Sequence, residues 1–110
     1  MHSRSVFLGV DVGSGSVRAV ALDATGTLLA SAVEDLEINH PRQDYYEQSS
    51  EQIWTAACDA VRRVLTKIGP DQAGRVRGIG FDATCSLVVL DPKGTVCLTA
   101  SGSSVEVLQV

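Results

Sequence analysis

The sequence predicts an α/β domain, and three observations predict it. Three short apolar runs joined by tight turns fill residues 6–33, a long run at helical spacing fills 49–68, and a further apolar run at 76–81 follows it. Strands joined that closely must pair antiparallel, as a meander. The strand beyond the helix is expected in a parallel position in the same sheet, reached by a right-handed crossover.

Taken in order, Val6 to Val10 and Val17 to Leu22 read as strands with at least one well-buried face, because β-branched and small apolar residues dominate both. Asp11 to Ser16 is the turn between them. Leu28 to Val33 is the third strand, entered through "DATGT", where Gly26 can take positive φ. Residues 34–48, "EDLEINHPRQDYYEQ", are polar and acidic around Pro41 and read as a surface loop. The helix starts at "SSEQ". Ser49 with Gln52 three residues on matches a capping box, and Ile53, Trp54, Ala57, Val61, Val64, Leu65 and Ile68 recur at helical spacing. Trp54 is therefore expected in the core, with Arg62, Arg63 and Lys67 on a solvated opposite face. Gly69-Pro70 stops the helix. Val76 to Phe81 is the fourth strand, with Asp82 at its carboxyl end. A terminal hairpin is expected from "SLVVLD" through Pro92-Lys93-Gly94 to "TVCLT", and the tail "ASGSSVEVLQV" shows no pattern.

Composition narrows the function. With 110 residues and 45% hydrophobic content, the chain supports one core and a single domain. Nine Lys and Arg stand against thirteen Asp and Glu, a formal net charge of -4, so no surface field gathers a polyanion and nucleic acid is not expected as a partner. No run approaches a membrane span, and the apolar stretch of about six residues before Asp11 is shorter than a signal-peptide core. A cytoplasmic protein without a membrane partner is expected. Cys58, Cys85 and Cys97, odd in number and widely spaced, fit neither a disulfide framework nor a CxxC metal pair, so reduced thiols are expected.

Two stretches carry chemistry. In "GVDVGSGSVRAVALD", residues 9–23, an acid closes a strand and so points into the crevice beyond the strand ends, where open α/β sheets place ligands. The backbone amides of Gly13, Ser14, Gly15 and Ser16 can then form an anion-binding concavity, since glycine admits a phosphate oxygen closely and small hydroxyls add donors. Asp11 would hold magnesium, directly or through water, because hard cations take oxygen ligands. Arg18 would meet a phosphate or steady the turn; strand alternation leaves its face open. The competing reading is a plain hairpin turn, which needs neither the acid before nor the base after. In "GIGFDATCS", residues 78–86, Asp82 ends an apolar strand and Ala83, Thr84, Cys85 and Ser86 follow, small groups suited to a hydroxylated ligand. Here the competing reading is Asp82 capping a turn. Acids at the ends of two neighbouring strands point to one crevice.

Together "GVDVGSGSVRAVALD", "YYEQSSEQIWTAACDAV" and "GIGFDATCSLVVLD", in this order over about residues 6–96, resemble the amino-terminal part of the FGGY carbohydrate kinases, and "FDATCSLVVLD" resembles the ribulokinase-type, D-ribulokinase-like branch. The resemblance implies the RNase H-like, actin-like ATPase fold and a partial first lobe of it. It also implies transfer of the terminal phosphoryl group of ATP, with Mg2+, to a hydroxyl of a ketopentose such as D-ribulose, or of a pentitol. Asp11, Gly13, Ser14, Gly15, Ser16 and Arg18 match the family's first phosphate loop, Asp82 to Ser86 the segment that helps line the sugar pocket, and Glu47, Gln48 and Trp54 its loop-to-helix signature. The family's catalytic base and second lobe have no counterpart in residues 1–110, so the resemblance implies an incomplete amino-terminal domain with a divergent tail over 97–110, without a catalytic residue and inactive alone.

Two other readings stand beside the kinase. One is a truncated, non-catalytic isoform or binding remnant. The other is a compact RNase H-like nuclease using Asp11, Asp82 and Glu51 as a two-metal carboxylate cluster, which the acidic balance opposes. Cys85 has no histidine near it in sequence and reads as a pocket-lining thiol, Cys58 and Cys97 as core, and His40 as a solvated loop residue. A sheet without the rest of its lobe exposes an edge, from which marginal stability or self-association is expected.

Overall fold

The computed structural model describes residues 4–37, 39–42, 45–83, 87–88 and 107–109. Strands β1 (Val6–Val12), β2 (Ser16–Asp23) and β3 (Leu28–Asp35) form the antiparallel meander, α1 (Ser50–Ala73) crosses over, and β6 (Val76–Ala83) returns parallel to β1. The sheet order is β3-β2-β1-β6.

One face of this sheet is the core. Val6, Leu8 and Val10 of β1, Val17, Ala19 and Ala21 of β2, and Ala32 of β3 are buried against Ala56, Ala57, Ala60 and Val64 of α1. Alanine on both sides lets helix and sheet approach closely. The helix lies mainly across β2 and β3 and less across β1.

Local chemistry explains the ends of these elements. Ser49 caps α1, its Oγ accepting from the Gln52 amide at 3.3 Å, as the capping box predicts. The Gln52 side chain reaches back to accept from the Glu37 amide at 3.2 Å, fastening the helix start to the exit of β3. The turn after β2 closes on Asp23, whose Oδ1 accepts from Thr25 Oγ1 at 2.6 Å and from the Thr25 and Thr27 amides at 2.9 Å, with Gly26 at φ 86°.

Several expectations are corrected. The expected stop at Gly69-Pro70 is a kink: Gly69 takes φ 85°, ψ 165°, and a further turn runs to Ala73, since proline is tolerated at a first helical position. Residues 34–48 are not one loop, because β3 runs on to Asp35 and a hairpin follows, β4 (Asn39–Arg42) with β5 (Tyr45–Gln48). Pro41 is accommodated because β4 is the edge of the second sheet, which also holds β7 (Leu87–Val88) and β8 (Val107–Gln109) in the order β4-β5-β8-β7. The tail is not patternless, since Val107–Gln109 forms β8 between β5 and β7 (Leu87–Val88). Most of the expected terminal hairpin, with Cys97, lies outside the described residues.

Trp54 is not core: it is 67% exposed. It lies on the side of α1 toward β6, beyond the strands that the helix covers, and lines an open apolar groove of about 240 Å³ with Cys58, Val61, Ile79 and Phe81. Cys58 is half-buried there, a free thiol rather than a core residue. Arg63 and Lys67 are not merely solvated either. Arg63 Nη1 donates to the Val33 carbonyl at 2.9 Å and to Glu34 Oε1 at 2.8 Å, and Lys67 Nζ donates to the Ser31 carbonyl. Both side chains thereby occupy outward carbonyls of the edge strand β3, which would otherwise offer pairing sites.

Candidate functional site

Registry places the candidate residues. Asp11 stands opposite Arg18 on β2 and opposite Asp82 on β6, so the three form one cross-strand row on the face away from α1. Asp11 lies inside β1 rather than beyond its end, because the strand continues to Val12. Tertiary pairing decides the face of Arg18. Next to this row, Gly9 pairs with Val20 and Gly80, and the two rows border a cavity of about 360 Å³.

A Cβ on Gly9 would stand 3.2 Å from Val20 Cγ2, a packing cause, whereas Gly80 has no such cause within the described chain. Gly80 sits in regular register, and a Cβ built on it meets nothing within 4 Å. A strand glycine marks a bulge, a bend or the close approach of something else. Gly80 is at neither of the first two. Gly15, in the turn, likewise has open space around a Cβ, and of the described glycines only Gly26 and Gly69 have positive φ. A plain turn would explain Gly15 only if φ required it. Gly13 differs, since its amide donates to the Ser16 carbonyl at 2.9 Å and a Cβ would stand 3.2 Å from that oxygen. Its amide is thus committed to closing the hairpin, leaving Ser14 and Gly15 as the exposed part of the loop. The Gly15 carbonyl accepts from the Leu36 amide at 2.9 Å, which pins the loop to the end of β3.

Asp82 is the penultimate residue of β6, and Ala83 ends it, both exposed; a turn capped by Asp82 would fall on residues outside the described ones. Thr84, Cys85 and Ser86 lie outside the described residues, as do the side chains of Glu47, Gln48 and His40. Glu51 does not join Asp11 and Asp82: among the described residues no three metal-ligating side chains gather. The nuclease cluster is therefore not assembled. Two carboxylates in one row remain a fit for a hard cation that keeps most of its waters, as magnesium does. Asp23 is the functional-looking acid that sequence reasoning passed over. Its carboxyl is held below the ordinary aspartate value of 3.8, chiefly by the Thr25 hydroxyl and then by the Thr27 amide, and its role is the turn.

Residues 6–102 match the model of the FGGY family of carbohydrate kinases, N-terminal domain. A Homo sapiens protein named FGGY carbohydrate kinase domain-containing protein is 51% identical over 85 residues, covering 77% of this chain and 15% of that protein. A Saccharomyces cerevisiae protein named D-ribulokinase is 48% identical over 84 residues, covering 76% of this chain and 12% of that protein. The crystal structure of xylulose kinase from Rhodospirillum rubrum superposes with a TM-score of 0.82 at 23% identity, over 94% of this chain and 20% of that one. A Plasmodium falciparum glycerol kinase solved with ADP superposes with a TM-score of 0.66 at 15% identity, over 79% of this chain and 18% of that one. The chain thus spans 12–15% of the length of the curated relatives just described. The fold is that of the sugar kinases' actin-like first lobe, in part. With the family model covering most of its length, the chain belongs to the FGGY family of carbohydrate kinases.

Proposed function

We propose that these residues are the phosphate- and sugar-facing part of an ATP-dependent kinase acting on a ketopentose such as D-ribulose, or on a pentitol. The observation that carries this reading is the single row of Arg18, Asp11 and Asp82 beside Gly80 and Gly15, where a Cβ would meet nothing in the described chain. Asp11 would hold Mg2+, directly or through water, and the ion when bound would neutralise charge on the ATP phosphates. The exposed Ser14–Gly15 backbone, with Gly13 and Ser16 shaping the loop, lets a phosphate oxygen approach, and Arg18 donates to it from the same face. Asp82, with Ala83 and the following Thr84, Cys85 and Ser86, accepts and donates hydrogen bonds to sugar hydroxyls. The similarity to the yeast protein named D-ribulokinase supports the substrate class.

Phosphoryl transfer depends on clamping the reacting groups from several sides, and residues 1–110 supply one side. By themselves they are expected to bind but not to turn over. The function is cytoplasmic, in keeping with the free Cys58; among the described residues no helix is long and apolar enough to cross a membrane. The open edge at β6 favours self-association.

A titration of the chain with MgATP and with D-ribulose, followed by amide NMR, tests the reading, with coupled ADP release measured in parallel. Shifts at Asp11, Gly15, Arg18 and Asp82 that Asp11→Ala abolishes for MgATP are expected, without turnover. No shift with either ligand would reject the binding role. Turnover that Asp11→Ala abolishes would show that the chain assembles a complete site.

A further inference from the structure

The opposite end of the sheet holds a second polar constellation. Arg4, Ser5, Arg75 and Arg77 line a cavity of about 160 Å³ where β1 and β6 begin. Along β1 this corner is about 20 Å from the Asp11 row, six residues at strand rise. Three of the chain's nine basic residues meet here, although the net charge is -4.

Three features mark a built site rather than a chance of surface charge. Ser5 is 3% exposed, the one polar residue among the buried described residues, and it lines the cavity. The ladder between β1 and β6 slips here: Val6 stands opposite Val76 but Phe7 opposite Gly78, so Arg77 is an extra residue. Such a bulge re-aims a side chain, and Arg77 is among the residues lining the cavity. Finally, the corner is braced. The Val6 amide donates to the Arg75 carbonyl at 3.0 Å and the Arg75 amide to the Gln72 carbonyl at 2.9 Å. The one acid on the cluster is Asp71, whose Oδ2 accepts from Arg75 Nη2 at 2.6 Å with 83% of its side chain exposed. Arg4 and Arg77 make no ion pair among the described residues.

We infer that this corner binds a phosphate-class oxyanion, either inorganic phosphate or the phosphoryl group of a small metabolite, at a site separate from the Asp11 crevice. Three guanidinium groups and a hydroxyl converging from two strand starts match a tetrahedral anion with several acceptor oxygens better than a planar carboxylate, which one arginine fork satisfies. Binding displaces the exposed Asp71 from Arg75, and the Ser5 hydroxyl donates to the anion. The acidic balance of the chain and the size of the cavity select a single phosphate over a polyanion.

Calorimetric and amide-NMR titrations with inorganic phosphate, glycerol 3-phosphate and acetate at constant ionic strength test this on the intact chain. Phosphate is expected to shift the amides of Ser5, Val6, Arg75 and Arg77. Arg4→Gln and Arg77→Gln, both at exposed positions, should each weaken binding about tenfold, and Ser5→Ala severalfold, with thermal midpoints near that of the parent chain. Arg18→Gln should leave the phosphate-induced shifts of Ser5, Val6, Arg75 and Arg77 unchanged. Stronger binding of glycerol 3-phosphate identifies the metabolite as the source, and equal or weaker binding the free ion. Acetate binding as well as phosphate, unchanged affinity in Arg77→Gln, shifts confined to residues 13–18, or no binding of either phosphate would each overturn the inference.

Discussion

Asp23 shows how much one side chain settles locally. Its Oδ1 organises the whole turn from Asp23 to Thr27, and those donors lower its pKa, the Thr25 hydroxyl foremost. A carboxyl depressed in the folded state binds protons more readily unfolded, so its stabilisation is fully present above the ordinary value of 3.8 and is lost as pH falls through the folded value. Thermal melts of the parent and of Asp23→Ala from neutral pH downward should therefore differ most at neutral pH and converge in acid. A gap independent of pH would contradict the assignment. Gly80 is the second residue-scale test. A side chain there meets no described atom, and strand glycine costs roughly 0.5–1 kcal/mol relative to alanine, so Gly80→Val should melt at or above the parent temperature. If a ligand lies over the glycine, the same variant should lose MgATP or D-ribulose binding by at least about tenfold. Lower stability in Gly80→Val would mean that protein, not ligand, fills the space.

At the scale of the element, α1 joins a cap, a packed face and a kink with separable energetics. Val64 is fully buried between helix and sheet, so Val64→Ala should cost about 2 kcal/mol by cavity formation. Gly69 has open space around a Cβ but φ of 85°, so Gly69→Ala should cost about 1 kcal/mol through backbone strain alone. Urea unfolding distinguishes the two: both midpoints should fall, Val64→Ala the further. Equal stability of parent and Gly69→Ala would show that the kink relaxes without penalty. The edge strand β3 is closed by Arg63 and Lys67 reaching its outward carbonyls, a role their helical positions do not reveal.

For the whole molecule, the balance of covered and uncovered surface matters most. The helix shields the inner face of β1 to β3, leaving Ile79 and Phe81 of β6 at 48% and 62% exposed beside Trp54. In the sheet of the described residues β6 is terminal, so an apolar groove and the end of the ladder coincide. Such an edge pairs with another copy unless something covers it. Sedimentation velocity over a concentration series should show growth of the particle for the parent chain and a monomer for Phe81→Lys. A parent chain that stays monomeric throughout would refute this.

Much was legible in the sequence because the signals were periodic and local. The meander, the helix with its Ser49 cap, the parallel fourth strand and the positive φ of Gly26 all follow from alternation, helical spacing and turn chemistry over a few residues. The short strands at 39–48 and 107–109 were not legible, since strands so short gain their stability from pairing with each other rather than from pattern. Trp54 was misplaced for a related reason: helical spacing says which face is apolar, and only the lie of α1 over β2 and β3 says how much of that face is covered. Neighbouring residues suffice for the three strands of the meander, the start of α1, β6 and the family motifs, because those depend on local pattern. Only the tertiary structure decided that Arg18, Asp11 and Asp82 share one row, and that Arg77 is displaced by a bulge toward Ser5, because register between distant strands is a property of the assembled sheet.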